Sequence, residues 1–108
     1  MNEQEFTALA DAKLAEIEAA LESLLDAGEV DFDLENKPGG IIELEFEDGS
    51  KIIVNRHGAA REIWIAAKSG GYHFRPEGGR WLGTRDGEEL MAALARTVTE
   101  QSGVPVRF

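Results

Sequence analysis

Ile42-Glu43-Leu44-Glu45-Phe46-Glu47-Asp48-Gly49-Ser50-Lys51-Ile52-Ile53, residues 42–53, is the stretch on which the fold turns. Ile42, Leu44 and Phe46 alternate with three glutamates, the period of two that sends successive side chains to opposite faces of a strand. Asp48-Gly49 then supplies a pair suited to the backbone of a tight hairpin turn, and a second strand is expected from Lys51 to about Arg56. The segment therefore reads as an antiparallel hairpin with one apolar face and one charged face.

Working outward, Val30, Phe32 and Leu34 alternate with Asp31, Asp33 and Glu35, which predicts an earlier strand, and Lys37-Pro38-Gly39-Gly40 is the turn between the two. Upstream the period changes. Phe6, Leu9, Ala10, Ile17, Leu21 and Leu24 recur at three-to-four spacing over residues 3–26, one long amphipathic helix, with Lys13 at the edge of its stripe. Asn2 followed by Glu5 is a capping signature at its start, and Gly28 is its expected stop. Downstream, His57-Gly58-Ala59-Ala60 reads as a loop. Strands are expected at about 61–67, 71–75 and 80–84, separated by Ser69-Gly70-Gly71 and Pro76-Glu77-Gly78-Gly79. A second helix is expected from about 87 to 101, capped by Asp86 or Thr84, with Leu90, Met91, Leu94 and Val98 on its apolar face. Gly103 ends it, and Val104–Phe108 is a short tail able to pack back on the helices. The order is helix, antiparallel strands, helix. Both helices need an apolar partner and one sheet face provides it, so the fold class is α+β, a two-layer α-β sandwich.

The chain has 108 residues, the size of one domain, 1–108. At 43% hydrophobic and 30% charged residues it has the composition of a folded protein. No apolar run approaches the ~18 residues of a membrane span, and the acidic start Met1-Asn2-Glu3-Gln4-Glu5 is unlike an export signal, so a cytoplasmic protein is expected. The absence of cysteine removes disulfides and thiolate metal sites. Net charge is −10, and it is lopsided: residues 1–50 hold 15 acids and 2 bases, residues 51–108 hold 6 acids and 9 bases. Such a field repels phosphate backbones and attracts cations and basic proteins, which argues against nucleic acid as a partner.

At ~100° per residue, Asp11, Glu18 and Glu22 fall on one line of the first helix, with Asp26 beside it and Glu29 just past its end. Glu18, Glu22 and Asp26 step by four, and each like-charge neighbour pair costs the helix roughly 0.2–0.5 kcal/mol. No basic residue between 14 and 36 relieves them, and Asp31, Asp33 and Glu35 follow on the next strand. Carboxylates alone suit hard, oxygen-seeking cations such as Fe, Ca, Mg or Mn. Without a preformed cage the binding is expected to be weak, multiple and unselective. A solvated helix face is the alternative, but such a face usually mixes Lys with Glu, and this one does not.

The most distinctive stretch is Asn55-Arg56 followed by Ile63-Trp64-Ile65-Ala66-Ala67-Lys68-Ser69-Gly70-Gly71-Tyr72-His73-Phe74. If Ile63 and Ile65 face the helices, Trp64 faces solvent and becomes an anchor candidate for a protein partner, with Asn55 and Arg56 near it. Burial under a loop or neighbouring side chains is the other reading of Trp64. This stretch closely resembles the bacterial frataxin family (the CyaY type), whose hallmark is an Asn-Arg pair, a Trp-containing strand and a Lys-x-Gly-Gly-Tyr-His-Phe run. The resemblance covers essentially the whole chain, including Glu5-Phe6, Leu9-Ala10-Asp11 and Asp48-Gly49-Ser50-Lys51-Ile52-Ile53. Ala59 stands where the family usually has Pro, Glu62 where it has Gln, and Ala67 where it often has Thr.

The resemblance implies an iron-binding protein of iron–sulfur cluster assembly that binds cysteine desulfurase and modulates its activity, as iron sensor or donor. It implies ferrous or ferric iron held weakly by Asp11, Glu18, Glu22, Asp26, Glu29, Asp31 and Asp33, other hard cations being able to substitute. It also implies contact with the desulfurase and the iron–sulfur scaffold through Glu18, Glu22, Asn55, Arg56 and Trp64. A monomer is expected, with iron-dependent oligomers left open. Two alternatives stand beside this: an iron-oxidising or iron-storing protein, and an acidic adaptor with incidental cation binding. No nucleophile–base pair and no phosphate-loop pattern occurs, and exposed paired carboxylates make poor general acids, so catalytic residues are not expected. His57, in its loop, is a weak candidate for a metal or haem, and His73 is expected to hydrogen-bond across the sheet.

Overall fold

The structure is a computed structural model that describes all 108 residues. Helix α1 spans Glu3–Asp26; strands β1 to β6 follow at Asp33–Lys37, Ile41–Glu45, Lys51–His57, Glu62–Ala67, Gly70–Glu77 and Arg80–Gly83; helix α2 spans Leu90–Ser102. The strands form one antiparallel sheet in sequence order, β1-β2-β3-β4-β5-β6. Each turn therefore links neighbours, and the acid-rich strands β1 and β2 form one edge of the sheet while β5 and β6 form the other.

The capping box expected at α1 is present. Asn2 Oδ1 accepts the Glu5 N–H at 2.8 Å, and the Glu5 carboxylate accepts the Asn2 N–H at 3.4 Å. Phe6, Ala10, Leu14, Ile17 and Leu21 are the buried face of α1, so Leu14 takes the place expected for Leu9, which is 45% exposed. The seam steps by four, four, three and four, and Leu9 lies one residue off it, at its margin.

β1 starts at Asp33 rather than near Val30. Its only partner is β2, and pairing begins with Asp33 opposite Glu45 because Phe46 beyond it already enters the hairpin turn, donating to the Ser50 carbonyl at 2.8 Å. Val30 and Phe32 are nevertheless buried in the extended lead-in. α2 also begins later than expected. Neither Asp86 nor Thr84 caps it; Glu89 is the N-cap and makes no side-chain cap bond. The Asp86 carboxylate accepts the Glu88 N–H at 3.0 Å instead, and Gly83 donates to the Glu88 carbonyl at 2.8 Å, so residues 83–88 are held as a turn.

The core is one cluster in which Ile42, Leu44, Ile52, Val54, Ile63, Ile65, Phe74 and Trp81 from the sheet meet the apolar faces of α1 and α2. The strand register puts all of those sheet residues on one face, so both helices cover the same face. Trp81 is buried against Phe6, edge to face at 6.0 Å. The other sheet face carries no helix.

Candidate functional site: a carboxylate ridge and a stacked tryptophan

α1 carries Asp11, Glu18, Glu22 and Asp26, Glu29 and Asp31 follow in the connection to β1, and Asp33 opens β1. Asp11, Glu22, Asp26, Glu29, Asp31 and Asp33 are exposed and Glu18 is half-buried. Glu18 accepts a hydrogen bond from Asn36 of β1, which ties the helix to the edge strand. Of these carboxylates only Asp11 has a cationic partner, Arg56. No three acidic or histidine side chains converge into a metal cage. A hard cation on this surface would meet one or two carboxylates at a time and keep much of its water.

The open sheet face divides in two. Near its acidic edge, Lys37 lies 3.2 Å from Glu43 and Lys51 lies 3.6 Å from it. The hydrogen bond with Lys37 holds the Glu43 carboxyl below the usual carboxylate range, and the same bond raises Lys37. These charges compensate one another inside the sheet.

Across β3, β4 and β5 the face is built around Trp64. Strand pairing sets Asn55 and His73 on either side of it. The indole is sandwiched between two imidazoles, His57 with ring centroids 3.8 Å away and His73 at 4.2 Å, all three rings nearly parallel. Its Nε1–H donates to Glu62 Oε1 at 2.7 Å. The second oxygen of Glu62 accepts from Arg75 Nε at 2.9 Å, and His73 Nδ1 lies 3.4 Å from the first. Trp64 thus points to solvent as expected, but it is a half-buried ring fixed on both faces and at its nitrogen, not a free anchor.

Three sequence expectations change here. His57 is not a solvated loop residue: it closes β3, stacks on the indole, and its Nδ1 is buried without a hydrogen-bond partner. His73 approaches Glu62 at 3.4 Å without the hydrogen bond expected of it, and stacks on the indole. Arg56 is not on the Trp64 face. It pairs with Ile63, which is buried toward the helices, so Arg56 shares that side and reaches the ridge, while Asn55 alone joins Trp64. Glu62 is the residue the sequence reading undervalued. At 5% exposure it is the buried charge around which the Trp64 tier is assembled. The alternation His57, Glu62, Trp64, His73, Arg75 on one face was the available signal, and it needed the β3–β4–β5 register to be seen.

The frataxin-like domain model matches residues 1–104. The chain belongs to the frataxin-like family. It is 50% identical over 104 residues to the iron-sulfur cluster assembly protein CyaY of Cupriavidus metallidurans, which covers 96% of this chain and 93% of that one. It is 52% identical over 103 residues to the CyaY protein of Dechloromonas aromatica, covering 95% and 94% of the two chains. Among solved structures, the frataxin of Psychromonas ingrahamii superposes with a TM-score of 0.82 at 33% identity, over 98% of this chain and 96% of that one. A trimeric yeast frataxin complexed with ferrous iron matches with a TM-score of 0.74 at 26% identity, over 88% and 86% of the chains. The frataxin-like sandwich, two helices on one face of a six-stranded antiparallel sheet, is shared.

Proposed function

We propose that this protein binds iron weakly along Asp11, Glu18, Glu22, Asp26, Glu29, Asp31 and Asp33, and that it docks on the cysteine desulfurase of iron–sulfur cluster assembly and adjusts its rate. The observation that carries the reading is the ridge itself: a run of carboxylates along α1 and into β1 of which only Asp11 has a cationic partner, on a sheet whose open face carries a prearranged tryptophan. The CyaY relatives, named as iron–sulfur cluster assembly proteins, and the ferrous complex of the yeast frataxin support it.

The chemistry follows from the geometry. Oxygen donors that do not converge hold a hard cation loosely and let it exchange, which suits a sensor or donor of iron better than a storage site. The same unpaired carboxylates attract a basic partner surface over a Debye length of ~8 Å at physiological salt. Glu18 and Glu22 then meet the partner from the ridge, and Asn55 and Trp64 meet the desulfurase or the scaffold from the sheet. A tryptophan already fixed in one orientation loses little freedom on docking. The protein acts as a binding partner and not as an enzyme, a monomer in the bacterial cytoplasm between encounters. The trimer formed by the yeast frataxin favours a second reading, in which iron drives self-association and storage.

Cysteine desulfurase turnover, followed as sulfide release with and without this protein at several ferrous iron concentrations, tests the proposal. An iron-dependent change in rate, abolished by Glu18→Lys/Glu22→Lys, is expected. A rate that is unchanged at every iron level would remove the regulatory role.

A further inference from the structure

The open sheet face over β4, β5 and β6 is built to the opposite sign from the ridge. Arg75 stands on it with its side chain 66% exposed, and its one hydrogen bond runs from Nε to Glu62 at 2.9 Å, leaving both Nη groups without a partner. Glu62 does little to repel an incoming anion: it is 5% exposed and both of its oxygens already accept, one from Arg75 and one from Trp64. The exposed acid of this part of the face, Glu77, stands opposite Arg80, and Leu82 beside them is opposite Arg75. Farther off, the open-face acids of β2 lie three strand spacings from β5, about 14 Å, which exceeds the ~8 Å Debye length at physiological salt. Glu43 among them is already paired with Lys37 and Lys51. The Trp64 stack selects in the same direction. A lysine or arginine of a partner would seek the face of the indole, and imidazoles cover both faces. Only ring edges remain, and the edge of an aromatic ring is its positive side, which favours oxygen.

We propose that this face docks an acidic segment of a protein partner, one carboxylate on the free Nη edge of Arg75 and the chain beside it against the exposed edges of Trp64 and His73. This rests on the reading of the sheet as a docking surface and adds the chemistry of what it takes. Glu62 fixes Nε, so the guanidinium is held in place before the partner arrives and its outer fork matches a carboxylate. Arg80, on the neighbouring strand, adds a second and weaker positive charge. A second copy of this chain is disfavoured as the occupant, because two molecules of net charge −10 repel one another. The ridge attracts a basic region and this face an acidic one. A partner presenting both is thereby held in one orientation, and a partner of a single sign engages only one surface.

The test titrates the full chain with two short capped peptides, one alternating Glu with Ala and one alternating Lys with Ala, and follows side-chain N–H resonances by NMR at physiological salt. The Glu peptide is expected to shift Arg75 Nε–H and Trp64 Nε1–H, and the Lys peptide to shift the amides of Glu22 and Asp26. Arg75→Gln should weaken the Glu peptide about five-fold, the upper factor that an exposed ion pair represents, and Arg80→Gln about two-fold. Arg107→Gln, an equal change of charge away from the sheet face, should leave it unmoved. Arg75→Lys keeps the charge and loses the fork; it should fall between wild type and Arg75→Gln, and it keeps the test open if Arg75→Gln unfolds. Equal weakening by Arg75→Gln and Arg107→Gln would overturn the site and reveal a general charge effect. A Lys peptide that shifts Trp64 and Arg75 more than the Glu peptide does would overturn the acidic occupant while leaving the sheet a docking surface. Shifts at Arg75 on concentrating the protein alone, removed by Glu22→Lys, would replace the partner with a second copy and overturn the proposal. Failure of both peptides to move Trp64 or Arg75 would overturn the proposal and the sheet as a docking surface together.

Discussion

Replacing Glu62 with alanine should loosen the Trp64 tier and cost the protein about 2 kcal/mol. The carboxylate accepts from Trp64 Nε1 at 2.7 Å and from Arg75 Nε at 2.9 Å while only 5% exposed. A hydrogen bond to a charged acceptor contributes about 1.5–3 kcal/mol, and the indole bond falls at the lower end because the half-buried ring recovers some water. The Arg75 bond adds less than about 1 kcal/mol, since that side chain is 66% exposed. Relief of a desolvated carboxylate opposes both, which brings the sum back to about 2 kcal/mol. For a chain of this length that is a fall in Tm of about 8–10 °C. Glu62→Gln keeps an acceptor for the indole and should lose about half as much. Urea unfolding at pH 7 followed by circular dichroism measures both variants. A loss below about 0.5 kcal/mol for Glu62→Ala would refute the claim that Glu62 holds the tier together.

Glu22→Lys turns two repulsive i, i+4 contacts, with Glu18 and Asp26, into attractive ones, and should raise stability by about 1 kcal/mol at low salt while weakening docking; thermal melts at two salt concentrations should show the gain shrinking as salt rises. Because Glu43 titrates below the usual range in the folded state, its contribution is present above the unfolded carboxylate value and is lost as pH falls through the depressed one. The difference in Tm between wild type and Glu43→Gln should therefore be full at pH 7 and close below about pH 4, as melts across that range would show. His57→Ala removes one of the two imidazoles stacked on Trp64. In a Trp81→Phe background its fluorescence should rise and its response to an added quencher should increase; an unchanged spectrum would contradict the stack.

Much of this architecture was legible in the residues. Asn2 with Glu5 fixed the start of α1, and the alternation around Asp48-Gly49 fixed the β2–β3 hairpin, because both signals are local and each has one dominant physical cause. The ridge was legible for the same reason: helical spacing alone aligns Asp11, Glu18 and Glu22. What the sequence did not carry was set by partners distant along the chain. Leu14 displaced Leu9 from the core because the sheet, and not the helix, chooses which edge of an apolar stripe is covered. α2 started late because Asp86 spends its carboxylate on a turn with Glu88. Arg56 adjoins Asn55 in sequence yet faces the other way, since a strand sends neighbours to opposite sides. The Trp64 tier joins residues of β3, β4 and β5, and its pairings exist only once the register is known.

Calorimetric titration into the cysteine desulfurase, at low and at high salt, tests the central claim most directly when wild type is compared with Glu18→Lys/Glu22→Lys and with Trp64→Ala. The account predicts binding by the wild type that weakens as salt rises and is lost or strongly reduced in both variants, one through the ridge and one through the sheet. Absence of wild-type binding at low salt, or binding indifferent to salt and to both changes, would contradict it.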